Sequence, residues 1–191
     1  TGRLARAYRS RIDGSVQPYG LVIPKGYDGK TPLRLDLVLH GRNGRLSEVS
    51  FLAKHDSPAP PTRKHFELHV FGRTNNAYRW AGEVDVYEAL ASVERQYRID
   101  PARIVLRGFS MGGAGAWHIG LHDPGRWAAV EAGAGFSDTI RYARLKEVPP
   151  YHRKALHIYD AVDYSLNAFN VPVVGYGGEI DKQLQASVNI R

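Results

Sequence analysis

The sequence predicts an α/β domain with a mostly parallel central sheet and antiparallel strands at its N-terminal edge. Three observations predict it. Short runs such as Leu37-Val38-Leu39 and Ile104-Val105-Leu106 are apolar on both faces, as buried parallel strands are. Stretches with helical periodicity alternate with them, which marks β–α units. The first extended segments are polar, as strands at a sheet edge are.

Each element has its own signal. Tyr8 to Gln17 is polar and extended, with Asp13-Gly14 as a turn. Tyr19 to Ile23 is a strand closed by Pro24. Leu33 to Leu39 begins with alternation, becomes wholly apolar and ends at His40-Gly41. Ser57-Pro58-Ala59-Pro60-Pro61 is a stiff, extended loop. Phe66 to Phe71 is the next strand. From Glu83 to Tyr97, Val84, Tyr87, Leu90, Ala91 and Val93 fall at helical spacing. Ile104 to Leu106 is a strand, Gly108 to Gly112 a tight turn, and Ala114, Trp117 and Leu121 mark a second helix. Trp127 to Glu131 and Val171 to Val174 are the last strands, the latter ended by Gly175, Gly177 and Gly178. The stretch from Pro149-Pro150 to the Tyr- and Asp-rich residues beyond it has no clear period.

Composition bounds the function. A chain of 191 residues holds one domain, spanning 1–191, with one substantial core. Cysteine is absent, which excludes disulfides and thiolate metal sites. The formal charge is +7, but Lys and Arg are scattered beside acids. The densest cluster is Arg3, Arg6, Arg9 and Arg11, with no block of the kind that reads as a nucleic-acid tail, so no nucleic-acid partner is expected. No apolar run has the length of a membrane span. The chain opens Thr1-Gly2-Arg3-Leu4, with no Met and no apolar stretch, so no signal peptide is visible and a preceding segment is expected to have been removed.

The chemistry is expected at three strand ends. Gly108-Phe109-Ser110-Met111-Gly112 follows an apolar strand and opens a helix. That setting lifts a serine hydroxyl out of a sharp turn, with free N–H groups of the helix start facing a developing oxyanion. Ser110 is therefore the expected nucleophile and the Met111 N–H one oxyanion donor. The loop His40-Gly41-Arg42 should supply the second donor, from Gly41 or Arg42. His40 itself reads as a packed core histidine. Past the late strand, Glu179 and Asp181 are both candidates for the acid that orients a histidine. Asp181 is preferred because it lies further out in the loop, and Asp163 is a weaker rival. Arg73, Asn75, Tyr78 and Trp80, after a strand end, are candidate substrate contacts. His65-Phe66-Glu67-Leu68-His69 is not a zinc motif, because the glutamate does not adjoin the first histidine and the segment reads as a strand. No metal and no cofactor is expected.

Gly108-Phe109-Ser110-Met111-Gly112-Gly113 after Ile99-Asp100-Pro101-Ala102-Arg103-Ile104, with Gly178-Glu179-Ile180-Asp181 after a late strand, resembles the prolyl-oligopeptidase-type branch of the α/β-hydrolases. The likeness runs from about Tyr8 to Asn189. It implies a three-layer α/β-hydrolase sandwich, a Ser–acid–His order with Asp181 as the acid, and cleavage of carboxylic esters, amides or peptides through an acyl-enzyme. The implied partner is a small ester or peptide substrate, polymer-linked ones included. A carboxylesterase is favoured over a peptidase. The chain departs from the family in one respect: it has no histidine after His157. It is therefore expected to lack the final strand, the histidine loop and the last helix. An upstream histidine (His118, His122, His152 or His157) is the alternative base. A rival reading is a non-catalytic α/β-hydrolase-fold module that binds carbohydrate or an anionic polymer.

Overall fold

The structure, a computed structural model, describes residues 2–56 and 63–181. The loop at 57–61 and the run from 182 onward lie outside the described residues.

The hairpin opens the fold. β1 (Gly2–Arg9) and β2 (Val16–Ile23) pair antiparallel, and the turn between them is closed by Ser10 N–H on Ser15 O at 2.8 Å. The turn thus falls at Asp13-Gly14 as expected, but the first strand begins at Gly2. Its arginines hid it in the sequence. Arg6 and Arg9 are exposed on this outer strand, and charge on an edge discourages pairing with other chains. β3 (Leu33–Leu39), β4 (Phe66–Val70), β5 (Ile99–Phe109), β6 (Ala129–Gly133) and β7 (Val173–Tyr176) complete a sheet of order β1-β2-β4-β3-β5-β6-β7. β2 pairs antiparallel with β4, and the remaining pairs are parallel. This is the expected mostly parallel sheet with an antiparallel N-terminal edge.

The two faces of the central strands differ. Ile104, Leu106 and Gly108 of β5 are buried, whereas Arg107 and Phe109 between them are not. Arg107 instead joins a charged ladder, with Nε 2.7 Å from Glu131 Oε2 and Nη1 3.2 Å from Asp36 Oδ2. Arg34 Nε also meets the fully buried Asp36, at 2.6 Å, so that carboxylate is paired twice.

Helices α1 (Glu48–His55), α2 (Ala81–Gln96), α3 (Met111–His122), α4 (Thr139–Ala143) and α5 (Pro150–His157) are joined by a 3-10 segment at Ala161–Asn170. α1 lies between two expected strands, in a stretch for which the pattern predicts no element. Its cap is a serine pair, Ser47 and Ser50, in place of the Ser/Thr-x-x-Glu pattern. α2 falls where expected but shows a different face. Val86, Ala89, Leu90 and Val93 are buried, while Val84 is exposed. The helix is turned because Asp85 faces inward to meet Arg73. α3 is buried from Met111 to Leu121, between the sheet and the 3-10 segment. Its Trp117 is among the largest fully buried side chains. Burying an aliphatic or aromatic side chain of this kind contributes about 1.5–3 kcal/mol, which fixes α3 against β5 and so sets the turn between them.

Candidate active site

The turn from β5 into α3 places Ser110. Its backbone has φ 56° and ψ −119°, a conformation that strains any residue with a β-carbon. Hydrogen bonds hold it there, from Ser110 N–H to Gly133 O at 2.8 Å and from Ala114 N–H to Ser110 O at 3.1 Å. The flanking glycines are required by close approach. A β-carbon on Gly108 would run into the backbone of Gly112, and one on Gly112 into the carbonyls of Leu39 and His40. Met111 opens the helix, so its N–H precedes the intrahelical ladder and belongs to the positive end of the dipole.

The strand end of β3 reaches the same place. A β-carbon built on Gly41 would stand 3.4 Å from Ser110 Cβ and 4.0 Å from Oγ. This loop is anchored at several points. His40 N–H donates to Tyr78 Oη at 2.6 Å, and the His40 ring nitrogens lie 2.9 Å from Gly41 O and 2.9 Å from Phe71 O. Asn43 N–H donates to Asn75 Oδ1 at 3.0 Å while Asn75 Nδ2 donates to Asn43 O at 2.9 Å. The Gly41–Asn43 loop is thereby tied to the Arg73–Trp80 loop across the cleft.

A cleft of about 490 Å³ opens over Ser110 and Met111. Arg42, Asn75, Asn76 and Trp80 line one part of it, and Phe136 and Tyr142 form an aromatic wall. The two rings are stacked, with centroids 4.3 Å apart. Arg79 also lines it. Its guanidinium lies 5.4 Å from the Phe136 ring centroid and 5.5 Å from that of Tyr159, and donates to Thr139 Oγ1 at 3.0 Å and Asp160 Oδ1 at 3.5 Å. Burial lowers the Arg79 pKa, and the Asp160 charge opposes that. Burial likewise raises the Asp160 carboxyl, while Thr139 and Arg79 hold it down.

The structure brings together Ser110, Met111, Gly41, Arg42, Asn75 and Trp80. It places two of the expected substrate contacts elsewhere. Tyr78 is fully buried beneath the His40 loop, where its hydroxyl serves the backbone. Arg73 points away from the cleft, with Nη1 2.7 Å from Asp13 Oδ2 and Nε 3.2 Å from Asp85. It locks the hairpin turn to α2. Glu179 and Asp181 follow β7, two strands from β5 on the side of the parallel strand ends. The Asp181 N–H closes a turn on Gly178 O at 3.0 Å. Asp163 accepts from His157 Nδ1 at 2.6 Å in a separate cavity beside α5. None of His118, His122, His152 and His157 lines the Ser110 cleft. His118 is buried inside α3, and His152 is exposed on α5. His65 just before β4 and His69 within it face Asp36 and Glu67, at 3.4 Å and 3.5 Å. Sequence reasoning missed Phe136 and Tyr142, which reach the cleft from the segment after β6. No local pattern points to them.

Comparison with known proteins adds the lineage. A model of the prolyl oligopeptidase family matches residues 74–169, half of the chain. No curated protein sequence matches. A solved thermostable esterase aligns at 20% identity over 99% of this chain and 60% of its own, with a TM-score of 0.60. A dipeptidyl aminopeptidase IV-type protein from Bacteroides ovatus aligns at 12% identity over 99% and 30%, with a TM-score of 0.75. A ferulic acid esterase aligns at 18% identity over 98% and 83%, with a TM-score of 0.69. The chain thus spans less than two thirds of the first two. At these identities the likeness is one of fold, the α/β-hydrolase sandwich.

Proposed function

Since the chain belongs to the prolyl oligopeptidase family, we propose that it acts as a serine hydrolase that cleaves carboxylic esters through an acyl-enzyme on Ser110. The observation that carries this reading is the strained turn at Ser110 with Gly41 beside it. Strain of this kind is retained where a hydroxyl must project into a cleft.

The reaction follows from those positions. Ser110 Oγ attacks the ester carbonyl and loses its proton to a histidine base. The carbonyl oxygen becomes an oxyanion and accepts hydrogen bonds from the N–H of Met111 and of Gly41 or Arg42. Collapse expels the alcohol, which takes the proton from the histidinium, and water then releases the acid by the reverse proton path. Asp181 orients the histidine and offsets the charge of the imidazolium. None of the chain's own histidines lines the Ser110 cleft, so the mechanism takes its base from outside these 191 residues. Esters are favoured over peptides because Phe136 and Tyr142 wall the cleft with aromatic surface, against which a flat acyl group can pack. Two of the three structural neighbours are named as esterases.

A fluorophosphonate probe tests the reading on the full-length protein. Ser110 should be the labelled residue, and Ser110→Ala should abolish both labelling and hydrolysis of aryl esters, a loss of about 10⁶-fold in turnover. Labelling or hydrolysis that survives Ser110→Ala would overturn it.

A further inference from the structure

A second cluster of reactive side chains lies apart from Ser110, between α2 and α3. His118 and His122 are four residues apart on α3 and so share one helix face, with ring centroids 5.9 Å apart. Glu83, in the first turn of α2, faces the pair. One ligand atom from each of the three lies within 4.8 Å of the other two.

The donor atoms are prepared in the way metal ligands are. His118 is almost wholly buried, and its Nε2 lies 3.3 Å from Ala77 O. That carbonyl can accept only an N–H, so the proton sits on Nε2 and Nδ1 keeps its lone pair. A backbone carbonyl fixing the tautomer in this way is the usual outer support of a ligating imidazole. His118 Nδ1 is itself buried without a hydrogen-bond partner, and so is His122 Nε2. Buried nitrogens left unsatisfied are costly, and two of them beside one carboxylate make a cradle that a metal ion fits. Glu83 brings the only carboxylate of the group. Tyr164 closes the outer side, edge-on to His122 with centroids 4.2 Å apart.

We propose that Glu83, His118 and His122 bind one divalent transition-metal ion of the zinc type. Two imidazoles and one carboxylate match that class of ion, with a fourth position left for water. Tetrahedral ligands at about 2.0–2.1 Å from zinc stand about 3.3 Å apart, so the present spacing of up to 4.8 Å has to close by about 1.5 Å on binding. The ion is a structural clamp. It joins the start of α2 to the C-terminal half of α3, beside the segment whose Ala77, Arg79 and Trp80 line the Ser110 cleft. It does not touch the reacting atoms, and it stands whether or not Ser110 is a nucleophile.

The test is metal uptake by tag-free full-length protein, stripped by chelator and dialysed against zinc. The expected result is one zinc per chain, a rise in Tm on loading, and an affinity reduced more than about tenfold in Glu83→Gln and in His122→Gln. Ser110→Ala should bind as the parent does. Cobalt loaded in place of zinc should give visible d–d absorption and a paramagnetically shifted, solvent-exchangeable His118 ring N–H, a readout that needs no variant to fold. No uptake by the parent protein, or full uptake by both Glu83→Gln and His122→Gln, would show a metal-free hydrogen-bonded cluster and overturn the proposal.

Discussion

A serine with φ 56° and ψ −119° is held against its own preference by the residues around it. Such a conformation costs about 1–3 kcal/mol for a residue with a β-carbon and little for glycine. Two variants separate this strain from the chemistry. Ser110→Ala and Ser110→Gly both remove the hydroxyl, but only glycine relieves the backbone. The glycine variant should be more stable than the alanine variant by about 1 kcal/mol in chemical denaturation. Equal midpoints would mean that the turn is unstrained. Asn75 makes a second residue-level case. It lines the cleft, yet both halves of its amide are bonded to Asn43, so on the proposed mechanism it positions the oxyanion loop. Asn75→Ala should lower kcat about 10- to 100-fold, with KM nearly unchanged, since a full oxyanion donor is worth ~10²–10³. A change confined to KM would make it a substrate contact instead. The turn that carries Ser110 and Met111 was legible in the sequence because strand, turn and helix are contiguous there, and the Gly41–Arg42 loop because it follows the end of an apolar strand. Tyr78 and Arg73 were not. Their loop places Arg73, Thr74, Ala77, Tyr78 and Trp80 at positive φ, which no propensity of those residues foretells.

At the scale of elements, the site depends on how closely α3 lies on the ends of β3 and β5. Gly112 is the contact. Its neighbours are backbone carbonyls of Leu39 and His40, which cannot swing aside as a side chain could. Gly112→Ala should therefore destabilise the fold by about 3 kcal/mol, more than an ordinary helix substitution, and equilibrium unfolding measures it. A cost below about 1 kcal/mol would show that the helix can lift without harm. The strand–helix alternation from β3 to β7 was legible because its strands carry apolar runs or apolar alternation and its helices are periodic. The less legible elements were those whose signals are tertiary. α1 is capped by two serines, β1 is a strand rich in arginine, and the 3-10 segment packs on α3 without a clear period. The turned face of α2 has the same origin, since Asp85 is buried only because Arg73, twelve residues earlier, comes to meet it. Glu83, His118 and His122 repeat the lesson across two helices. The four-residue spacing of the histidines was visible, and the glutamate that faces them was not.

For the whole molecule, the balance of charge sets how stability responds to acid. The chain already carries +7, and each histidine protonated on acidification adds repulsion. His55 is the sharpest case. It is buried on α1 between Phe51 and His69, with centroids 4.5 and 4.8 Å away, and its Nδ1 has no partner. Burial, aided by the nearby positive groups His69, Lys54 and Arg3, lowers its pKa to about 3. An unfolded histidine titrates near 6.5. The stability tied to neutral His55 is therefore complete above about pH 6.5, and it is lost as pH falls toward 3, because the unfolded chain takes up the proton first. At pH 5 the loss is about 2 kcal/mol. The buried carboxyls of Asp85 and Asp160 act with the opposite sign. Their raised values favour the folded state in acid, and that advantage fades as pH rises through them. A single-site comparison isolates the histidine. Denaturant midpoints at pH 7 and pH 5 should show the parent protein losing about 2 kcal/mol more than His55→Gln does. The loss should appear in unfolding of the β1–β2 edge on which α1 packs. Equal losses in the two proteins would mean that His55 takes up its proton in the folded state, and that the edge opens to water well before the rest of the sheet does.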